Sequence, residues 1–98
     1  MPRIVVVGLG PGNEGLITAD TLAAINSIAV RFLRTIHHPS ARLVTDATSF
    51  DHLYDSAPSF DDVYRDIALT LVDAAKQHGE VLYAVPGSPT VLEKSVAH

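Results

Sequence analysis

The chain contains no cysteine, which excludes disulfides, thiolate metal sites and cysteine nucleophiles and leaves five histidines as candidate ligands or bases. Basic residues are scarce as well: seven lysines and arginines stand against eleven aspartates and glutamates, for a formal net charge of −4. They are scattered and supply none of the clustered positive footprint that nucleic acid needs, so no nucleic-acid partner is expected. Long apolar runs are also missing. The opening run at residues 4 to 7 is about four residues long, far short of a signal-peptide core or a membrane span. No membrane association is expected, and a cytoplasmic location is compatible. No repeat, low-complexity tract or linker interrupts the 98 residues, which suit one small domain.

What remains is apolar. The chain is 47% hydrophobic with a mean hydropathy of +0.22, so either its strands are covered on both faces or some surface expects a partner. The β-branched run Ile4-Val5-Val6-Val7, bounded by glycine, predicts a parallel strand over residues 3 to 8. Thr18 is a candidate N-cap for a short helix to about residue 26, with Leu22, Ala23 and Ile25 on its buried side. A second strand is expected at 28 to 33, a helical turn from Pro39, a short strand near 48 to 50 and another turn at 51 to 55. The clearest helix begins after Ser59 and ends at Gly79; Asp61 and Asp62 lie in its first turn, and Phe60, Val63, Tyr64, Ile67, Leu71, Ala74 and Ala75 form its apolar stripe. Residues 81 to 85 predict another buried strand, and Ser88 with Pro89 predicts a last helix running to the terminus. This order of elements points to an α/β fold, an open parallel sheet with flanking helices.

In such sheets ligands bind beyond the carboxyl ends of the strands, so the loops at 8 to 15 and 86 to 89 should share one edge. Glycine there lets a ligand lie directly against the backbone. "GPGNEG", residues 10 to 15, matches the dinucleotide fingerprint G-x-G-x-x-G, but that motif also wants an acid at the end of the second strand, which here ends in Leu33-Arg34. The arginine suits a 2′-phosphate, yet Pro11 and the late helix start fit the phosphate turn poorly. A P-loop is excluded because the chain has no Gly-Lys pair.

"VVVGLGPGNEGLIT" followed by a small helix, and "YAVPGSPTV" about seventy residues later, resemble the tetrapyrrole methylase family of S-adenosylmethionine-dependent methyltransferases. The likeness continues through "FLRTIHHPSARLV" and "FDHLYDSAPSFDDVYRDIA", and these middle stretches are most similar to the methylase-like module fused to MazG-type nucleoside triphosphate pyrophosphohydrolases. The resemblance implies S-adenosylmethionine as cofactor. Its first wall would comprise Gly8, Gly10, Pro11 and Gly12, its second Pro86, Gly87, Ser88 and Pro89. Asn13 and Ser88 stand where many members carry aspartate. The resemblance also implies a second α/β domain beyond this N-terminal one, a homodimer, and a small-molecule substrate for which the family name offers a tetrapyrrole. Without the second domain the chain is expected to be inactive. The alternative is a non-catalytic binding or dimerisation module of a MazG-type enzyme.

Methyl transfer from a sulfonium asks mainly for alignment, so the lack of a Ser-His or paired-carboxylate constellation does not count against it, and no catalytic residue is assigned. No metal site is expected. His37 and His38 are adjacent, which on an extended segment points them to opposite sides. His52, His78 and His98 read as loop and helix-end residues. Asp46, Asp51, Asp55, Asp61, Asp62 and Asp66 could suggest magnesium, but such a site needs i, i+3 or i+4 carboxylates converging from two helices, and Asp61 and Asp62 read as first-turn charges complementing the helix dipole. Tyr64 and Tyr83 read as core residues, while Arg34 and His38, just after the second strand, are the candidate polar groups on the substrate side.

Overall fold

The structure, a computed structural model, describes residues 2–10, 17–56, 58–87 and 91–95, of which Leu92, Lys94 and Ser95 are described in their backbone alone. The predicted first strand is β1, Arg3–Gly8; it is followed by α1 (Ala19–Ser27), β2 (Arg31–Leu33), a 3₁₀ turn at Ala41–Leu43, β3 (Thr48–Ser49), α2 (Asp51–Ser56), α3 (Phe60–His78), β4 (Glu80–Val85) and β5 (Val91–Ser95). The strands form one sheet in the order β3-β2-β4-β1-β5. β3, β2, β4 and β1 are parallel, whereas β5 runs antiparallel to β1.

β5 corrects the helix expected after Ser88. Five register pairs, from Arg3↔Ser95 to Val7↔Val91, give β1 a second partner and satisfy a strand edge that would otherwise be unpaired. Arg3 fastens the junction, reaching Glu93 at 2.6 Å and Glu80 at 3.1 Å across the two neighbouring strands. Ser88 and Pro89, on which the helix reading rested, lie outside the described residues.

Helix boundaries follow their caps. Thr18 Oγ1 accepts from the Thr21 amide at 3.2 Å, and the Thr18 hydroxyl donates to Thr21 Oγ1 at 3.1 Å, so the fully buried Thr21 has its polar atom satisfied locally. This turns α1 so that Thr21 and Ile25 face the sheet while Leu22 and Ala23, expected inside, are exposed. At α3, Ser59 Oγ accepts from the Asp62 amide at 3.2 Å and its hydroxyl donates to Asp62 Oδ2 at 2.9 Å. Gly79, with φ +87°, closes the helix by donating from its amide to the Ala75 carbonyl at 2.7 Å. The buried line is Val63, Ile67, Leu71 and Ala75; Phe60 and Tyr64 are instead 70% and 56% exposed. The steps of four keep one narrow line against the sheet, and Tyr64 sits about 100° round the helix from Val63, beyond its reach.

The two faces of the sheet are covered unequally. On one, Val5, Val7, Leu82 and Ala84 pack with Ile25, Ile28 and Val44. On the other, Val81, Phe32 and Phe50 pack under α3, with Phe32 stacked on Phe50 at 5.4 Å and Tyr83 edge-on to Phe50 at 5.7 Å. Ile4 and Val6, on this second face, are only half-buried, so the apolar strand read as covered on both sides is closed on one. No helix among the described residues is long and apolar enough to cross a membrane.

Candidate functional site

The carboxyl ends of β1, β2 and β4 converge on one edge, where each strand's ladder continues into its loop. The Leu9 amide donates to the Val85 carbonyl at 2.8 Å and the Arg34 amide to the Ala84 carbonyl at 3.0 Å. Two residues past β1, Gly10 forms an isolated antiparallel bridge with Gly87, so the two glycine loops are joined to one another. Both glycines need their lack of a side chain: Gly10 has φ +79° and Gly87 φ +131°. At Gly87 a Cβ would meet no atom within 4 Å, so conformation rather than crowding selects glycine, and its backbone faces open space.

Gly8, Gly10, Pro86 and Gly87 are thus brought together at this edge. Pro11, Gly12, Ser88 and Pro89 lie outside the described residues. Leu9 is 1% exposed and anchors the loop between Gly8 and Gly10 from the covered face of the sheet.

His38 reaches the same place from the loop after β2. Its Nδ1 accepts from the Ser40 amide at 3.0 Å, which puts the ring proton of the neutral imidazole on Nε2, and Nε2–H donates to the Gly10 carbonyl at 2.7 Å. A histidine read as a substrate-side group is therefore a strut beneath the first glycine loop. His37 is exposed. Among the described residues no three histidine, aspartate or glutamate side chains gather as a metal site.

The loop carrying His38 is held at its other end by Asp51. One carboxylate oxygen, Oδ2, accepts from the Ile36 amide at 2.9 Å and from the Ser49 hydroxyl at 3.1 Å. Slight burial pushes the Asp51 carboxyl up, but hydrogen bonds from Thr35, Ile36 and Ser49 and the nearby His37 outweigh it and hold the group below the usual carboxylate range. Nothing in the spacing of Asp51 marked it for this role, since its partners sit 15 and 2 residues away.

Arg34 stands beside the glycine edge, on the half-open face of the sheet. It lines a groove of about 450 Å³ together with Ile4, Val6, Val85, Tyr83 and the α3 residues Tyr64 and Val72. Tyr83, read as core, is only partly covered and shares this groove with the exposed Tyr64.

The chain matches the family described as Tetrapyrrole (Corrin/Porphyrin) Methylases over residues 3–97. It is similar to the uncharacterized protein YabN of Bacillus subtilis (strain 168), with 36% identity over 98 residues, covering 96% of this chain and 20% of that protein. The chain therefore spans about a fifth of that relative's length. No solved structure matches it. The match over nearly the whole chain and the joining of its two glycine loops at the carboxyl edge of a parallel sheet agree, and the chain belongs to the tetrapyrrole methylase family.

Proposed function

We propose that this domain forms one wall of an S-adenosylmethionine cleft in a methyltransferase. The observation that carries the reading is the Gly10–Gly87 bridge: two loops 77 positions apart in sequence present glycine backbone side by side at the ligand edge of the sheet. S-adenosylmethionine would supply a sulfonium-bound methyl group, which passes to an acceptor that loses a proton while the thioether departs. Gly8, Gly10, Pro86 and Gly87, with Pro11, Gly12, Ser88 and Pro89 beside them in the sequence, would hold it through backbone amides and carbonyls. The positive φ of Gly10 and Gly87 and the open space at Gly87 fit a ligand seated against the main chain.

Alignment is what such a wall contributes. Leu9, which is buried, and His38, bonded to the Gly10 carbonyl, fix Gly8 to Gly10 before a ligand arrives, so less ordering of that backbone is left to the binding step. No side chain need act as nucleophile. The acceptor is a small molecule, a tetrapyrrole by family precedent, and the other wall would come from a second methylase domain, in a protein that dimerises and carries a MazG-type domain.

Calorimetry tests this. These 98 residues should bind S-adenosylmethionine weakly and transfer no methyl group, whereas a protein extended through a second domain should bind it in the micromolar range. Micromolar binding by the 98 residues alone would overturn the half-cleft, and no binding by the extended protein would overturn the cofactor. Sequence beyond His98 that encodes a second methylase domain and then a MazG-type domain would support the fused architecture.

A further inference from the structure

The His38 ring is engaged at both nitrogens, and its two partners leave it no choice of protonation. Nδ1 sits 3.0 Å from the Ser40 amide, a group that only donates, and Nε2 sits 2.7 Å from the Gly10 carbonyl, a group that only accepts. The base of this arm is rigid. Pro39 has no N–H, so the turn opens with the Ser40 amide on Nδ1 and the Ala41 amide on the His38 carbonyl at 3.0 Å. The Leu43 amide then donates to the Ser40 carbonyl at 3.1 Å and the Val44 amide to the Ala41 carbonyl at 3.0 Å. Ser40 is fully buried, and Ala41 and Val44 belong to the same core cluster as Val7 and Leu9. The arm ends differently, since His38 is only half-buried and water reaches its ring.

We propose that His38 is a proton-operated latch on the first glycine loop: its neutral ring holds Gly10, and protonation lets Gly10 go. An imidazolium carries a proton on each nitrogen and keeps no lone pair. Its Nδ1–H would face the Ser40 N–H, donor against donor, and the turn, packed into the core, is not free to withdraw. The ring must swing, and because both nitrogens are fixed in one plane, the swing carries Nε2–H off the Gly10 carbonyl. What it releases is a residue at φ +79° that bridges to Gly87, so both glycine loops feel the change. The titratable and charged groups on the segments around the ring are Arg34 and His37 on its own loop, Arg42 and Asp46 on the turn that follows, and Asp51 and His52 at the start of α2. Asp51 gives its carboxylate oxygen to Ile36 and Ser49, and residues 8 to 10 bring no charged side chain. Histidine is the side chain whose ordinary change of charge falls between about pH 5 and 8. What the latch controls rests on the methyl-donor reading: a ligand that needs the held form of Gly10 should lose up to about tenfold in affinity for each pH unit below the transition.

Nuclear magnetic resonance of the 98-residue chain, titrated across about pH 5 to 8, reads the latch with no ligand present. The Ser40 and Gly10 amides should shift with one shared midpoint, that of the His38 ring, and the exchange protection of the Leu9 amide should fall below it. Two variants that do not titrate divide the work of the ring. His38→Gln has an amide to donate to Gly10 and should keep the held level of Leu9 protection throughout. His38→Asn serves the Ser40 amide but falls short of Gly10, and should show the released level throughout. Ser40 and Gly10 amides that do not follow the His38 ring, or a wild-type pH profile that survives in both variants, would overturn the latch. Calorimetry with S-adenosylmethionine on the protein extended through a second domain then shows what the latch governs. An affinity that falls with pH in the wild type and stays level in His38→Gln supports control of the cleft, and equal slopes in the two would overturn that control. Absence of binding at every pH would overturn the donor reading alone, since the amide titration decides the latch without it.

Discussion

Gly87 is the residue whose replacement separates conformation from contact most cleanly. Its φ of +131° lies well outside the left-handed region that asparagine or aspartate tolerates, and a Cβ there would touch nothing within 4 Å. Gly87→Ala should therefore cost only backbone strain, about 1–3 kcal/mol. In a domain of this length that lowers the thermal midpoint by roughly 4–8 °C for each kcal/mol, provided the bridge to Gly10 is kept. If the loop instead unhooks, the global midpoint moves less and the loss appears locally, as faster amide exchange at Leu9, whose amide is bonded to Val85. Gly79 is the control: its φ of +87° at the end of α3 also has open space around a Cβ, so Gly79→Asn should be tolerated better than Gly87→Asn. Thermal unfolding and amide exchange of the three variants decide the matter. A Gly87→Ala protein with wild-type midpoint and wild-type protection at Leu9 would refute the strained-turn account of the second loop.

His38→Ala should remove the bond that the Gly10 carbonyl accepts, a loss of about 1–3 kcal/mol read in urea unfolding together with faster exchange near Gly10. Asp51 sets an acid dependence: its folded pKa is lowered, so the unfolded chain binds more protons in the acid range and stability rises with pH there. That contribution is complete above the unfolded value of about 3.9 and is lost as pH falls through the lower folded value, so Asp51→Asn should flatten the urea midpoint between neutral and acid pH. An undiminished acid slope in that variant would assign it to other carboxylates. Val7, fully buried, and Val6, half-buried one position away, form a matched pair: Val7→Ala should cost about 1.5–3 kcal/mol in unfolding free energy and Val6→Ala clearly less. Equal costs would mean that the second face of β1 is covered in solution.

Sequence reading succeeded where periodicity and punctuation coincide. β1 and β4 are unbroken apolar runs closed by glycine or proline, and α3 has its helical stripe, its serine cap and its terminal glycine in register. It failed where a distant partner overrides a local signal. Ser88-Pro89 is a sound helix opening, yet residues 91–95 have in β1 an unpaired edge to join, a contact some ninety positions away. On α1 the pattern favoured Leu22, but the Thr18 cap sets the rotation and puts Thr21 inside. Phe60 and Tyr64 fit the α3 period within tolerance, but the buried line steps by four from Val63 and both lie to one side of it.

The candidate site shows the same division at finer grain. That the two glycine loops share an edge follows from parallel topology alone, because strands that point the same way end together. That Gly10 and Gly87 pair, and that His38 holds the Gly10 carbonyl, depends on the lengths of loops whose course no local rule sets. The meeting of Tyr64 and Tyr83 along one groove is less legible still, since each looks like an ordinary apolar position in its own element. What unites them is the asymmetry of β1. Val7 and Leu9 are sealed on one face and hold Gly8 to Gly10 in place, while the opposite face, with Ile4 and Val6, is only half covered. A strand anchored from one side can thus hold its carboxyl end in place while its other flank is less covered, so truncations on the two faces need not have the same effect.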